Sequence, residues 1–485
     1  MNINNWSPEE RLRLYFWATA LLGLGILFYG LGSIPLLSFN EARRGIPIQT
    51  MAEGGDWLIP ELNGQVYINK PPLFYWLGTV AAWLFGGVDE WTIRLPSALS
   101  AAGLLGAVYL LARRIANPWI GLLAVIMLIT NLSFTMFARR AEIEMLLTAL
   151  CAGSLFAAYA FILDARPGYM LYLSYLLLGL AVLTKGPVAL LFVIPPVIGY
   201  ALVYRDPRAY AYLRALRGWL LMLVVALPWY LLVAGKLGLD AWMPVVNTDI
   251  VGKISQHKAD PVYDYLMWVA GDFFPWSLLA ILAPLAAVRA WKASPRTLFL
   301  LLAAVIPLVV LSLFSNKHAK YLLPAYPAMA ILLAWLARDG LASCRPYWRK
   351  AMYAAVAIIP PCFLLYYAVA EARVYSYRYS AFPQIVAARQ AHPDSPLFAY
   401  REVDERVIYY LGQPVRVIDE QAALELGRRE NALLLGQADA PQQALEQAGW
   451  CVLGTIEPYL KKGKSARLYA AGSACPKGEN GAAGI

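Results

Sequence analysis

Runs of about twenty apolar residues recur along most of this chain, with only short charged stretches between them. A helix of that length crosses the hydrocarbon layer of a bilayer, so the pattern confines most of the chain to a membrane. It predicts about eleven spans, near 14–37, 95–112, 119–136, 146–163, 170–184, 188–204, 218–234, 265–288, 297–314, 321–337 and 351–371. Composition agrees: 60% of the 485 residues are hydrophobic and 15% are charged, whereas a soluble domain carries roughly a quarter charged residues. The 16 Trp and 30 Tyr supply amphipathic rings suited to the headgroup layer. The run 14–37 holds no small-residue cleavage site and reads as a first span rather than a removable leader.

The basic residues give an orientation. Arg11 and Arg13, Arg113 and Arg114, Arg166, Arg205 to Arg217, Arg289 to Arg296 and Arg338 to Lys350 fall on one side, which the positive-inside rule makes cytoplasmic. The N-terminus is then expected in the cytoplasm and the C-terminus in the periplasm of a bacterial inner (plasma) membrane. Leu73 to Phe85 is apolar but, at about 13 residues, short of a span. Counting it as one would put every later basic cluster outside, so it is predicted to be an interfacial or re-entrant helix in the first outer loop, 38–94. The net charge of +10 sits in loops and not along one soluble element, which argues against a nucleic-acid partner and for membrane lipids.

The expected organisation is a polytopic α-helical membrane domain over 1–372 and a small soluble α/β domain over 373–485. In the tail, Pro396 to Tyr400, Val415 to Ile418, Cys451 to Ile456 and Ala466 to Ala471 read as strands, and Ala422 to Arg429 and Gln442 to Gly449 as helices. Cys151, Cys344 and Cys362 read as inert thiols. Cys451 and Cys475 could pair in an oxidising compartment, but their spacing alone leaves that open. No pair of cysteines has metal-ligand spacing.

Six charged clusters fall on the outer side: Phe39 to Arg44, Tyr67 to Leu73, Ala138 to Met145, Thr184 to Pro187, His257 to Pro261, and Ser315 to Tyr321. Charge at a span end costs free energy unless it is paired or faces water, so convergence on one side implies a polar cavity. Cations outnumber carboxylates there, which suits an anionic ligand such as a phosphate. The blander reading is that Arg140, Lys185 and Lys317 merely reach the headgroups. Glu41 and Glu144 gain little from anionic headgroups and stand out as functional candidates. His257 and His318 have no second ligand at helical spacing and are not read as metal ligands.

In this order, the clusters resemble the lipid A aminoarabinose transferases and protein O-mannosyltransferases, GT-C glycosyltransferases that use polyprenyl-phosphate sugars. The resemblance rests on Asn40-Glu41-x-Arg43, Gly55 to Pro60 with Asn63-Gly64, Lys70-Pro71-Pro72-Leu73, Arg94 to Ser97, Glu144 to Thr148, Leu183 to Pro187 and Lys320 to Pro324. It implies a GT-C fold and transfer with inversion from a flipped polyprenyl-phosphate sugar to a glycolipid or protein acceptor, without cofactor, nucleotide or metal. Glu41, Asn40 and Glu144 would be the catalytic positions. Arg43, Arg44, Lys70, Arg139, Lys185 and Lys320 would bind the donor phosphate, with Tyr67, His257, Lys258, His318 and Tyr321 as further cavity candidates.

Asn40 departs from the pattern, because the family usually has an aspartate there and an amide cannot act as a base. Three readings stay open: Glu41 takes the role (the favoured one), the acceptor is an anion that needs no base, or the activity is altered. Two other function classes share parts of the pattern. A transporter would show inverted repeats and mid-membrane charges, and the sequence shows neither. An oligosaccharide ligase or polymerase would share the topology but not the ordered motifs.

Overall fold

The computed structural model describes residues 6–246, 260–282, 294–343, 346–376, 381–429, 431–437, 439–459 and 464–475. His257, Lys258 and Cys344 lie outside the described residues. Among those described, eight helices are long and apolar enough to cross a bilayer, and one bent pair makes a ninth.

The first helix, α1 (Pro8–Phe28), opens on a reciprocal cap: Ser7 Oγ accepts from the Glu10 N–H and Glu10 accepts from the Ser7 N–H. It stops at Phe28, short of the expected 37, and residues 29–37 are irregular. Irregular backbone next to a membrane must find partners inside the protein, and two buried arginines supply them. Arg94 donates to the carbonyls of Leu31, Ile34 and Pro35 at 2.8, 2.9 and 3.1 Å. Arg139 donates to those of Ile26 and Tyr29 at 2.7 and 2.9 Å.

The next helices are α2 (Phe39–Ala52), the 13-residue α3 (Leu73–Phe85) and α4 (Glu90–Ile115). A short hairpin, β1 (Glu61–Leu62) with β2 (Gln65–Val66), lies between α2 and α3. The expected span 119–136 is broken into α5 (Pro118–Ile129) and α6 (Leu132–Ala138), bent by 72°. The break follows from Asn131, whose side chain accepts from the Phe134 N–H at 2.8 Å and so caps a new helix inside the apolar run. Beyond it come α7 (Ile143–Ile162) and α8 (Tyr169–Lys185). Helices over Ile194–Tyr204, Leu216–Leu237, Pro295–Ser312, Tyr326–Ser343 and Pro346–Leu365 complete the bundle. The expected span 265–288 is described only to 282, as a helix over Asp264–Asp272 and a 3-10 turn over Trp276–Leu282.

The tail is a five-stranded sheet in the order β4-β3-β5-β7-β6. Its strands are β3 (Leu397–Tyr400), β4 (Arg416–Ile418), β5 (Ala432–Gln437), β6 (Trp450–Ile456) and β7 (Ala466–Ala471). The β3 strand runs parallel to β4 and β5, and β7 antiparallel to β5 and β6. Helices cover both faces: Phe382 and Ile385 pack on one core, Ala423 and Leu445 on the other. A disulfide joins Cys451 to Cys475. The sequence reading lacked three elements, the helices Ala381–Ala391 and Glu405–Leu411 and the strand β5. The β5 strand is buried at five of six positions, so its apolar run has no alternation to mark it as a strand.

The Glu405–Leu411 helix fixes the tail to the bundle. Ile408 and Tyr409 join Ala42, Ile46, Phe74 and Ile93 in one core. Tyr410 Oη accepts from the Leu36 N–H at 2.9 Å and donates to Glu90 at 2.7 Å. Asn63 completes the docking by bonding both the N–H and the carbonyl of Val415.

Candidate active site

Local structure explains why the charges converge. The α2 helix starts at Ser38, whose Oγ accepts from the Glu41 N–H. The α7 helix starts at Glu142, with Glu144 in its first turn, where carboxylates favour the positive end of the helix. Lys185 occupies the last turn of α8, where a cation is favoured. Gly186, at φ 84°, then turns the chain in a way that a side chain would resist.

Lys320 joins the two acids: its Nζ lies 3.0 Å from Glu142 Oε2 and 3.3 Å from Glu144 Oε1. Lys185 Nζ lies 3.1 Å from Glu144 and over the ring of Tyr321, 4.9 Å from its centroid. Ser38 Oγ donates to Glu142 Oε1 at 3.3 Å. Arg44 donates to Tyr75 Oη at 2.7 Å and Tyr67 Oη at 3.4 Å, and its charge acts on Glu144. Its buried Nε has no hydrogen-bond partner among the described residues. Lys70 lies within electrostatic range of Lys185, and Arg140 within range of Glu142. Arg44, Lys70, Arg140, Lys185 and Lys320 thus surround two carboxylates. Burial first, and then the Glu144 carboxylate beside it, raise the pKa of Glu142 above the usual carboxylate range, and Lys320 and Arg140 only partly oppose this.

Of the residues expected from sequence, Arg44, Tyr67, Lys70, Glu144, Lys185, Lys320 and Tyr321 come together here. Asn40 is half-buried in the same first turn as Ser38, and its side chain makes no hydrogen bond among the described residues. His318 is exposed, with its ring against that of Tyr321.

Three other candidates are spent elsewhere. Glu41 is fully buried: its two oxygens accept from Arg94 Nε at 2.9 Å, Arg94 Nη2 at 3.4 Å, the Leu37 N–H at 2.8 Å and the Ala141 N–H at 3.1 Å. Burial opposes its ionisation, but Arg94, Arg140 and the Leu37 N–H together outweigh it and hold the pKa below the usual range. Arg139 ties the end of α1 to Glu371 at 3.1 Å and stacks on Tyr367. Arg43 pairs with Glu405 of the tail at 2.6 Å. The reading from sequence passed over Glu142, Ser38 and Tyr75. For Glu142 the signal was present: two acids two residues apart, straddling the start of an apolar helix.

Residues 69–231 match the model of the dolichyl-phosphate-mannose-protein mannosyltransferase family. The fold aligns with crystalline ArnT from Cupriavidus metallidurans bound to undecaprenyl phosphate, with a TM-score of 0.79 over 97% of this chain and 100% of that one, at 19% identity. The chain has the GT-C fold.

In sequence it resembles the ArnT-like and protein-mannosyltransferase members of that class. It is 30% identical over 338 residues to the undecaprenyl phosphate-alpha-4-amino-4-deoxy-L-arabinose arabinosyl transferase 1 of Sodalis glossinidius, covering 67% of this chain and 58% of the relative. It is also 30% identical over 312 residues to an uncharacterized protein of Aquifex aeolicus, covering 64% and 61%. The chain therefore spans about three-fifths of the length of these curated relatives.

Proposed function

We propose that this chain is an inverting glycosyltransferase that moves a sugar from a polyprenyl-phosphate donor to a glycolipid such as lipid A, or to a protein. The reaction takes place at the periplasmic face of a bacterial inner membrane, with the N-terminus cytoplasmic and the tail periplasmic. The observation that carries this reading is the shared cluster in which Lys320 bridges Glu142 and Glu144 while Lys185 and Arg44 flank them. The activity named for the Sodalis relative, an undecaprenyl-phosphate arabinosyl transfer, supports the donor class.

A polyprenyl-phosphate sugar is a phosphodiester with one negative charge, and loss of the sugar develops a second. Lys185, Lys320, Arg44 and Lys70 stabilise that growing charge where little water competes. The acceptor oxygen bonds to the anomeric carbon from the face opposite the phosphate. The bond from that carbon to the phosphate oxygen breaks, and its electrons stay on the phosphate. Glu142 takes the acceptor proton, because it is less compensated than Glu144, which has two lysines, and its raised pKa makes it the better proton acceptor. Glu41 is a positioning residue: through Arg94 and the Ala141 N–H it sets α2 against the start of α7.

The test uses purified protein in lipid nanodiscs with an undecaprenyl-phosphate sugar and a membrane extract as acceptor source, reading free undecaprenyl phosphate. Release is expected from the native chain and is lost in Lys320→Ala and Glu142→Gln. A well-folded native chain that releases nothing from any polyprenyl-monophosphate sugar overturns the reading.

A further inference from the structure

The charged cluster lies at one end of the bundle, and a groove opens toward the other. It runs between α1, α4 and α5, has a volume of about 800 Å³ and is lined almost wholly by apolar side chains. Small residues make the space: Thr19, Ala20 and Gly23 on α1 face Ala102 and Gly106 on α4. A Cβ built on Gly106 would meet nothing within 4 Å, so the groove is open there.

Among the described residues three charged ones line it, and all lie at one end: Glu9 and Arg13 near the start of α1, and Arg113 in the last turn of α4. The Arg113 guanidinium lies over the ring of Tyr109, itself a lining residue, 5.8 Å from the centroid. From Arg13 to Leu27 the lining follows α1 for about 21 Å at the rise of an α-helix. That exceeds half of the ~30 Å hydrocarbon layer, the depth one leaflet's acyl chain occupies.

A long apolar trough with two arginines and one carboxylate at its mouth matches a molecule with an acyl chain and a net negative head. The α1 helix is peripheral, with only 22% of its most apolar window buried by protein, so the groove faces the lipid phase. We propose that this groove binds one anionic glycerophospholipid, with its phosphate between Arg13 and Arg113 and one acyl chain along Thr19, Gly23 and Gly106. The site is separate from the charged cluster, because its mouth is at the opposite end of α1 from α2. A polyprenyl-phosphate donor, whose phosphate has to reach the cluster, would present its head at the wrong end.

The test is native mass spectrometry of the full chain released from nanodiscs containing equal phosphatidylglycerol and phosphatidylcholine. The native protein is expected to retain one phosphatidylglycerol, about thirtyfold over phosphatidylcholine, what two surface arginines at about 1 kcal/mol each supply. The Arg13→Gln/Arg113→Gln pair is expected to remove that preference. Gly106→Leu, which keeps the charges and suits a helix better than glycine, is expected to remove the bound lipid itself. An unchanged elution volume on size exclusion shows that both variants are folded. Equal retention of the two lipids, retention unchanged in both variants, or polyprenyl phosphate as the retained molecule would each overturn the proposal.

Discussion

Glu41 and Glu142 are both buried where α2 meets α7, and the residue preceding Glu142 donates its N–H to Glu41. They are nevertheless opposite kinds of carboxylate. Glu41 has four donors from Arg94 and two backbone groups, and its pKa is lowered. Glu142 has one lysine and one hydroxyl, sits beside a second acid, and has a raised pKa. A carboxylate with a lowered pKa contributes stability that is present above its unfolded pKa and is lost as pH falls through the folded value. One with a raised pKa does the reverse: its ionised form costs stability as pH rises through the folded value, and that cost is what makes it ready to take a proton. Similar burial therefore goes with a lowered pKa at one residue and a raised one at the other, because the partners differ.

Substitutions should separate the two. The largest expected effect is on Glu142→Gln, which should lower the transfer rate by about 10²–10⁴-fold, the usual worth of a general base. Its thermal midpoint should not fall, since a costly buried charge is removed; a lower midpoint with a normal rate would merge the two sites. Glu41→Gln should do the opposite. Breaking a buried ion pair costs about 3–5 kcal/mol, so its thermal midpoint should drop clearly while the protein that stays folded keeps its rate.

The pH dependence sharpens the contrast further. The rate should fall on the acid side through a pKa above the ordinary glutamate range, and the Glu142→Gln variant should lose that limb. A limb unchanged in the variant would place the base elsewhere. The smallest effect is expected for Tyr410→Phe. It removes the hydroxyl that links Leu36 and Glu90 to the tail and should cost about 1–3 kcal/mol, seen as easier proteolytic release of the tail.

Much of the charged cluster was readable as a set of residue types. Arg44, Lys70, Glu144, Lys185 and Lys320 were all marked by charge at the end of an apolar run, and a bilayer makes that signal strong. Sequence could not say which of these charges would be spent. Arg139 looks like its neighbour Arg140, but it satisfies the carbonyls at the end of α1. Arg94 carried a sign that was not followed: an arginine inside an apolar helix needs a buried partner.

The bundle itself was determined by sequence, because the demand of the membrane is local. Each run of about twenty apolar residues must bury its own backbone as a helix, whatever its neighbours do. The break at Asn131 was likewise a matter of local capping, whereas the irregular backbone after α1 is satisfied only by Arg94 and Arg139, far away in sequence. The pairing of charges was decided only by tertiary structure. Glu41 meets an arginine 53 residues away, Glu142 a lysine 178 away, and Arg139 a glutamate 232 away. No local pattern encodes which distant partner an ion will find, and that partner decides whether a carboxylate holds the protein together or is left able to react.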